Sequence, residues 1–455
     1  MFKKFTNACV SLVNKYLPDA FLFAIILTII TFVAGIFMTG QTPIAMVNHW
    51  GKGVWSLLAF SMQMVLVLVL GSAMAKAPII KRLLVKIASM AKNPAQAILI
   101  TGFVSTIACF LNWGFGLVVG ALLAREMARA VKGLDYRLLI ATAYSGFLIW
   151  HGGLSGSIPL TLAGGTPDAL KAQTAGAVTA AIPTAQTIFS NFNITIVILL
   201  LIGIPLVCYA MIPSKENTVT VDPKLLVDAE VKSYVAKTPA EKLEHSRILW
   251  VLTIALAGTF IAYTFATKGF NLDLNIVNLI FLTLGLLFHG DIRRYIDAIE
   301  DSAKSSAGII LQFPFYAGIM GMMTGANAAT SISLASVISN AFVSISTVTT
   351  FPLFSFLSAG IVNFFVPSGG GQWAVQAPIM MPAGQALGVA PNVTAMTIAW
   401  GDAWTNMIQP FWALPALGIA GLSARDIMGY CIITLLLGGV VICGVFLAFP
   451  LMGLI

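Results

Sequence analysis

Nine stretches of mostly apolar sequence, near residues 19 to 39, 54 to 75, 138 to 163, 191 to 212, 248 to 266, 275 to 290, 306 to 325, 394 to 420 and 428 to 449, dominate this chain of 455 residues. Each approaches the roughly 20 residues a helix needs to cross a hydrocarbon core about 30 Å thick. Backbone groups at that depth must find their partners inside the chain, so the stretches are read as α-helices. With 58% hydrophobic and only 9% charged residues, against about 25% charged in soluble proteins, an ordinary soluble domain is excluded. The length would suit two or three soluble domains. Here it suggests one all-α polytopic membrane bundle.

The net charge of +8 lies in clusters of Lys and Arg between the apolar segments. Such clusters mark the cytoplasmic side and contact anionic lipid, so the membrane is the expected partner and nucleic acid is not. Cys9, Cys109, Cys208, Cys431 and Cys443 are odd in number and contain no CxxC, which indicates neither a disulfide framework nor a metal site. Residues 1–18 space Phe2, Phe5, Cys9, Leu12, Val13 and Tyr16 on one helical face. They are read as an interfacial helix rather than a signal peptide.

Lys76, Lys81, Arg82, Lys86 and Lys92 form one basic loop, and Arg125, Arg129, Lys132 and Arg137 the next. Both belong to the cytoplasm under the positive-inside rule, so the segment 95–124 must enter and leave on one side. It is broken at Asn112-Trp113-Gly114, and its second apolar arm of about ten residues would span only about 15 Å. A re-entrant hairpin opening inward is expected. A second hairpin over 351–387, again with a short second arm, is broken across residues 366–373, where a helix would have to pass proline and three glycines. This hairpin opens outward. The resulting topology leaves only Lys52, Lys171 and Lys268 of the 25 basic residues outside the cytoplasm, with the N-terminus cytoplasmic and the C-terminus periplasmic.

Residues 213–247 carry six basic and six acidic side chains and read as a cytoplasmic linker between a first repeat, 19–212, and a second, 248–455. Each repeat holds a hairpin followed by an interrupted crossing, entering from opposite sides, as expected of inverted repeats. Asn112 and Pro159 stand 47 residues apart, as do Asn363 and Pro410, with Trp150 and Trp400 between them.

Broken helices at membrane depth are tolerated where they are buried in protein or line a polar cavity. The breaks here are the two hairpin tips and the interruptions at 150–157 and 400–406. Freed amides at half-helix N-termini can hold a carboxylate and freed carbonyls a cation. The candidate substrate-binding residues are therefore Asn112, Trp113, Gly114, His151, Gly152, Gly153, Ser155, Ser157, Ser368, Gly369, Gly370, Gly371, Gln372, Thr405 and Asn406. Glycine and serine at such places also serve close helix packing. From Ser305 through Gly401 there is no Asp, Glu, Lys, Arg or His, and Asp402 ends that run. An acid within a crossing is costly and usually functional. Asp402 is the candidate ion-coupling residue, through a proton or a bound sodium ion, with a helix-end cap as the structural alternative. His151 holds the corresponding place in the first repeat. The tryptophans around the breaks serve core packing or form a wall for a short acyl chain.

The segments LNWGFGLVVGALLARE, HGGLSGS, NFFVPSGGGQWAVQAP and NMIQPFWALPALGIAGL resemble the bacterial short-chain fatty acid transporter family, as do YLPDAFLFAIILTIITF and LQFPFYAGIMGMM. That family is grouped with the ion transporter superfamily. The resemblance implies an inverted-repeat fold with two re-entrant hairpins, commonly dimeric and moving as an elevator. The Ser-Asn-Thr signature of the dicarboxylate branch is missing from both tips, so its binding residues do not carry over. No GxxxxGK[ST] loop supports primary pumping. The expectation is a secondary carrier of the bacterial inner membrane, importing short-chain monocarboxylates such as acetoacetate or butyrate with protons or sodium, without catalytic residues or a cofactor. The rival is a membrane-embedded acyl- or prenyl-transferase, which would require His151 and Asp402 to converge.

Overall fold

The computed structural model describes residues 20–226, 236, 238–364, 366–408 and 411–454, so the helix expected over 1–18 lies outside them. Helices α1 (Ala20–Thr39), α2 (Pro43–Gly53), α3 (Leu58–Ala75) and α4 (Pro78–Ala88) lead to a first hairpin, α5 (Pro94–Leu111) and α6 (Trp113–Ala130). An interrupted element follows, made of α7 (Tyr136–Ser145), a 3-10 stretch over Gly146–Gly152 and α8 (Ser157–Gly164), then α9 (Pro167–Gln173) and α10 (Asn191–Ala210). The linker holds α11 (Pro239–Glu244). Beyond it lie α12 (Arg247–Lys268), α13 (Leu274–His289), α14 (Ile292–Ala303), α15 (Ala307–Thr324) and α16 (Leu334–Ile345). The second hairpin comprises α17 (Phe351–Asn363) and α18 (Gly369–Ala386), followed by α19 (Pro391–Thr405), α20 (Ala413–Ala420) and α21 (Ala424–Leu451). No strand occurs among the described residues.

Helix ends follow local chemistry. Proline opens α2, α4, α5, α9 and α19, where its missing N–H costs nothing. Asn112 ends α5 and starts α6 by itself, because its extended backbone breaks the helix while its Oδ1 accepts the Phe115 N–H at 2.9 Å. Gly290, at φ +68°, supplies the left-handed turn that ends α13.

Each of the nine apolar stretches is helical, but among the described residues seven helical segments have the length and hydropathy to cross a membrane. The stretch 275–290 forms a helix of 16 residues, and 394–420 divides into α19 and α20. Three expectations are corrected. The arm α6 has 18 residues, because the helix-favouring run up to Ala130 carries it beyond the apolar part. The arm α18 also has 18 residues: Gly369, Gly370 and Gly371 are its first turn, capped by Ser368, and the break lies before them. The second interruption follows Thr405 instead of spanning 400–406, so Asp402 sits inside the last turn of α19.

Packing crosses the two sequence halves. Helices α1 and α2 pack on α15, and α3 packs on α13, α14 and α15. Separately, α7 and α10 pack on α21, α6 on α20, and the 3-10 stretch and α8 on α19. The two sets meet where α3 touches α6 and where α15 and α16 touch α18. In the apolar part of the element from Tyr136 to Gly164, 94% of the residues are buried, whereas none in the apolar part of α12 is fully buried. The interrupted helix is thus central to the molecule, and α12 packs Trp250, Ile254, Ile261 and Phe265 against the core while the rest of its mostly apolar surface is exposed.

Candidate functional site

At the first interruption the backbone runs too close to its neighbours for a side chain at either of two glycines. A Cβ on Gly152 would stand 2.5 Å from Trp400 Cζ2, and one on Gly153 only 2.4 Å from the Phe110 carbonyl oxygen. The freed Gly152 carbonyl accepts from Asn193 Nδ2 at 2.9 Å, and Asn193 Oδ1 accepts from Trp400 Nε1 at 2.9 Å. Asn193 is not singled out by the sequence, where it stands between Asn191 and Thr195 at the start of an otherwise apolar run.

At this break His151 and Asp402, 251 positions apart and both fully buried, come together, with His151 Nδ1 2.9 Å from Asp402 Oδ2. The Ile158 backbone N–H reaches His151 Nε2 at 3.1 Å, and Ser157 Oγ lies 2.9 Å from the same nitrogen. A backbone N–H can only donate, so Nε2 accepts and the ring proton sits on Nδ1, donated to Asp402. The chain Ser157, His151, Asp402 resembles a hydrolytic relay. Here, however, Nε2 also serves a backbone amide, so it cannot act for the serine hydroxyl alone.

Both hairpin tips close on this centre. The Trp113 N–H donates to Ser155 Oγ at 2.9 Å and the Leu154 N–H to the Phe110 carbonyl at 2.7 Å, fastening the first tip to the break. Gly71 of α3 admits Asn112, whose Oδ1 would lie 2.3 Å from a Cβ there, and Gly114 rests on the Leu68 backbone. From the other side, a Cβ on Gly369 would stand 2.5 Å from His151 Cε1 and 2.6 Å from Ser157 Oγ. Gly370 and Gly371 lie equally close to the rings of Phe60, Phe313 and Tyr316, so these glycines allow a close approach that any side chain would block. Gln372 Nε2 donates to the Ala359 carbonyl and to Gln376 Oε1, both at 2.8 Å.

Of the expected site residues, His151, Ser155, Ser157, Ser368 and Thr405 are engaged within the protein. Ser368 Oγ accepts the Gly371 N–H, and Thr405 Oγ1 donates to the Gly360 carbonyl at 2.9 Å while accepting from Asn363 Nδ2 at 2.9 Å. Other buried atoms have no partner. Among the described residues fifteen buried side-chain N or O atoms lack a hydrogen bond, and seven of them belong to the tips and breaks. They separate by chemistry. Asn112 Nδ2, Trp113 Nε1, Asn406 Nδ2 and Trp412 Nε1 are donors, whereas Asp402 Oδ1, Gln372 Oε1 and Asn363 Oδ1 are acceptors.

The amide orientations behind this division are set by their other partners. Asn112 Oδ1 takes the Phe115 N–H, Asn406 Oδ1 takes Trp150 Nε1–H at 2.9 Å, and Gln372 Nε2 needs the Ala359 carbonyl. The four donors surround an aromatic group in which the Trp113 ring centre lies 5.0 Å from that of Trp412 and 5.8 Å from that of Trp150. The three acceptors lie on α17, α18 and α19, and Asp402 is itself the partner of His151. Each unpaired buried polar group costs about 1–3 kcal/mol, so a concentration of seven points to ligands that satisfy them. A donor cluster suits a carboxylate and an oxygen cluster suits a cation.

Comparison with known proteins shows the family of the chain. The sequence family described as short chain fatty acid transporter matches residues 1–449. A protein of Escherichia coli named for short-chain fatty acid transport is 48% identical over 432 residues, covering 94% of this chain and 96% of its own. One of Haemophilus influenzae with the same name is 46% identical over 440 residues, covering 96% and 97%. Among solved structures, the YdaH transporter of Alcanivorax borkumensis aligns over 96% of this chain and 99% of its own, with a TM-score of 0.58 at 18% identity. MtrF of Neisseria gonorrhoeae aligns over 96% and 97%, with a TM-score of 0.50 at 15% identity. At those identities the structures speak for the fold alone.

Proposed function

The chain belongs to the short-chain fatty acid transporter family, and from that premise we propose a secondary carrier that imports short-chain monocarboxylates such as acetoacetate or butyrate together with sodium. The chain is a multi-pass membrane transporter and not an enzyme. The observation that carries the finer reading is the division of unpartnered groups, with donors around Asn112, Trp113, Asn406 and Trp412 and acceptors at Asp402, Gln372 and Asn363. The donors take the substrate carboxylate, and the surrounding indole rings face its short apolar tail. The oxygens take the coupling cation.

Sodium is favoured over a proton by the number of oxygens without a partner: Asp402 Oδ1, Gln372 Oε1 and Asn363 Oδ1 are three acceptors that one metal cation would share, whereas a proton on Oδ1 would supply a single donor. The two packing sets support an elevator: α5–α10 with α17–α21 would travel, while α1–α3 with α13–α15 would stay. We place the carrier in the bacterial inner membrane as a homodimer of inverted repeats, with the linker and N-terminus in the cytoplasm. Counterflow into proteoliposomes containing only this protein tests the reading. Butyrate-loaded vesicles should draw in labelled butyrate saturably, and net accumulation should follow an inward sodium gradient at fixed pH. Failure of counterflow under both sodium and proton gradients refutes it.

A further inference from the structure

A groove of about 560 Å³ runs between α5 and α10, lined by ten residues that are all apolar, among them Ile87, Met90, Leu99, Phe103, Leu201 and Leu206. Its floor is a close helix crossing, where a Cβ on Gly102 would stand 3.1 Å from Pro205 Cα. Phe103, Ile202 and Leu206 beside that crossing are exposed on the apolar surface of the bundle. The groove ends against Ile87 and Met90, at the C-terminal end of the amphipathic helix α4 and the turn after it. Lys86 immediately precedes Ile87 and Lys92 follows Met90 by two residues, and both are exposed. Residues 77–124 contain no Asp or Glu, so the charge of these lysines is unbalanced by any acidic side chain in that stretch. An apolar slot whose end residues are flanked in the chain by two exposed cations is complementary to one ligand class, an acyl chain joined to a negatively charged phosphate.

We propose that the groove between α5 and α10 is a binding site for an anionic glycerophospholipid, with its acyl chain lying over Gly102 and Pro205 and its phosphate held by Lys86 and Lys92. The exposed apolar sides of α5 and α10 face lipid in any case. The lysine pair adds a selection by headgroup. A lysine near an anionic headgroup is worth about fivefold in affinity, the equivalent of about 1 kcal/mol, so the pair predicts a preference of roughly thirtyfold over a zwitterionic lipid. The site is independent of the substrate reading and stands or falls separately.

The test is native mass spectrometry of the purified full chain incubated with equal amounts of phosphatidylglycerol and phosphatidylcholine of the same acyl composition. Wild type should retain phosphatidylglycerol, and Lys86→Gln/Lys92→Gln should bring the two lipids toward equal retention. Phe103→Trp, which fills the slot, should lower retention of both; Leu206→Trp on the opposite wall serves the same purpose if that variant does not fold. Excess inorganic phosphate should leave the lipid in place. Equal retention by wild type, a preference that survives loss of both lysines, unchanged retention in a filled groove, or displacement by phosphate alone each overturns the proposal.

Discussion

Replacing Asp402 by asparagine changes one charge and almost no volume, and its consequences differ for the two oxygens of the carboxylate. Oδ2 accepts the His151 Nδ1–H at 2.9 Å. An amide oxygen can take the same bond, with a loss of about 1–2 kcal/mol as a charge-assisted bond becomes a neutral one. Oδ1 has no protein partner, and in Asp402→Asn that position becomes an N–H₂ donor, which cannot ligate a cation. A cation there loses its only formal counter-charge. Opposite unit charges about 4 Å apart attract by about 4 kcal/mol at an effective dielectric constant near 20, so the sodium affinity should fall by about three orders of magnitude.

Substrate affinity, set at the donor cluster, should fall far less. The assay is uptake of labelled butyrate by proteoliposomes over a range of external sodium at fixed pH, alongside sodium-independent counterflow. The variant should fail to accumulate substrate at any accessible sodium concentration while keeping measurable exchange. Accumulation by Asp402→Asn with an unshifted sodium dependence would refute the cation role. So would wild-type accumulation that ignores sodium and collapses with a protonophore.

Trp412→Phe removes an unpartnered indole N–H and keeps an aromatic ring beside Trp113. Half-saturation for butyrate should rise about tenfold to a hundredfold, the value of a hydrogen bond to a charged group, with an unchanged melting temperature; equal uptake kinetics would place the carboxylate elsewhere. Single cysteines at Lys92 and Lys132, both exposed and on either side of the first hairpin, should both react with a membrane-impermeant thiol reagent added from the cytoplasmic side, and labelling from opposite sides would mean that this segment crosses the membrane. Outside the membrane, burial acts to raise the Asp291 carboxyl, but the hydrogen bonds from His245 and the Arg294 N–H, with the charges of His245 and Arg294, outweigh it and hold it below its ordinary value. A carboxyl lowered by folding stabilises the protein above the unfolded carboxylate range and loses that contribution as pH falls through the folded value. Asp291→Asn, which can keep the helix cap, should therefore flatten the acid side of the melting-temperature profile, measured in detergent, relative to wild type.

Hydropathy and local breakers made much of the fold legible. Residue type alone marks a segment too apolar for water, a single asparagine that can end one helix and cap the next, and glycine with serine where a helix must open. The interruption at 150–157 was readable for this reason. The later one was misplaced, because Trp400 to Thr405 has no residue that forbids a helix, and Thr405 Oγ1 is absorbed by the carbonyl of Gly360 on a neighbouring helix. Trp412 and Asn363 stood in segments already noticed, but nothing in their types shows that their polar atoms lack partners.

From the sequence by itself came the membrane as solvent, the helices, the first break, and two ionisable residues, His151 and Asp402, at depth. Only the tertiary structure decided that those two touch, which neighbours are left unpaired, and that helices from both halves mix into two packed sets. The physical reason is range. Helix starts, stops and burial against lipid depend on side chains within a few residues, whereas a 2.9 Å contact between residues 251 positions apart depends on where whole helices pack. Gly152, Gly369 and Gly401 permit that packing through close approaches to Trp400, His151 and Ala359. No local pattern records which partner each glycine will meet.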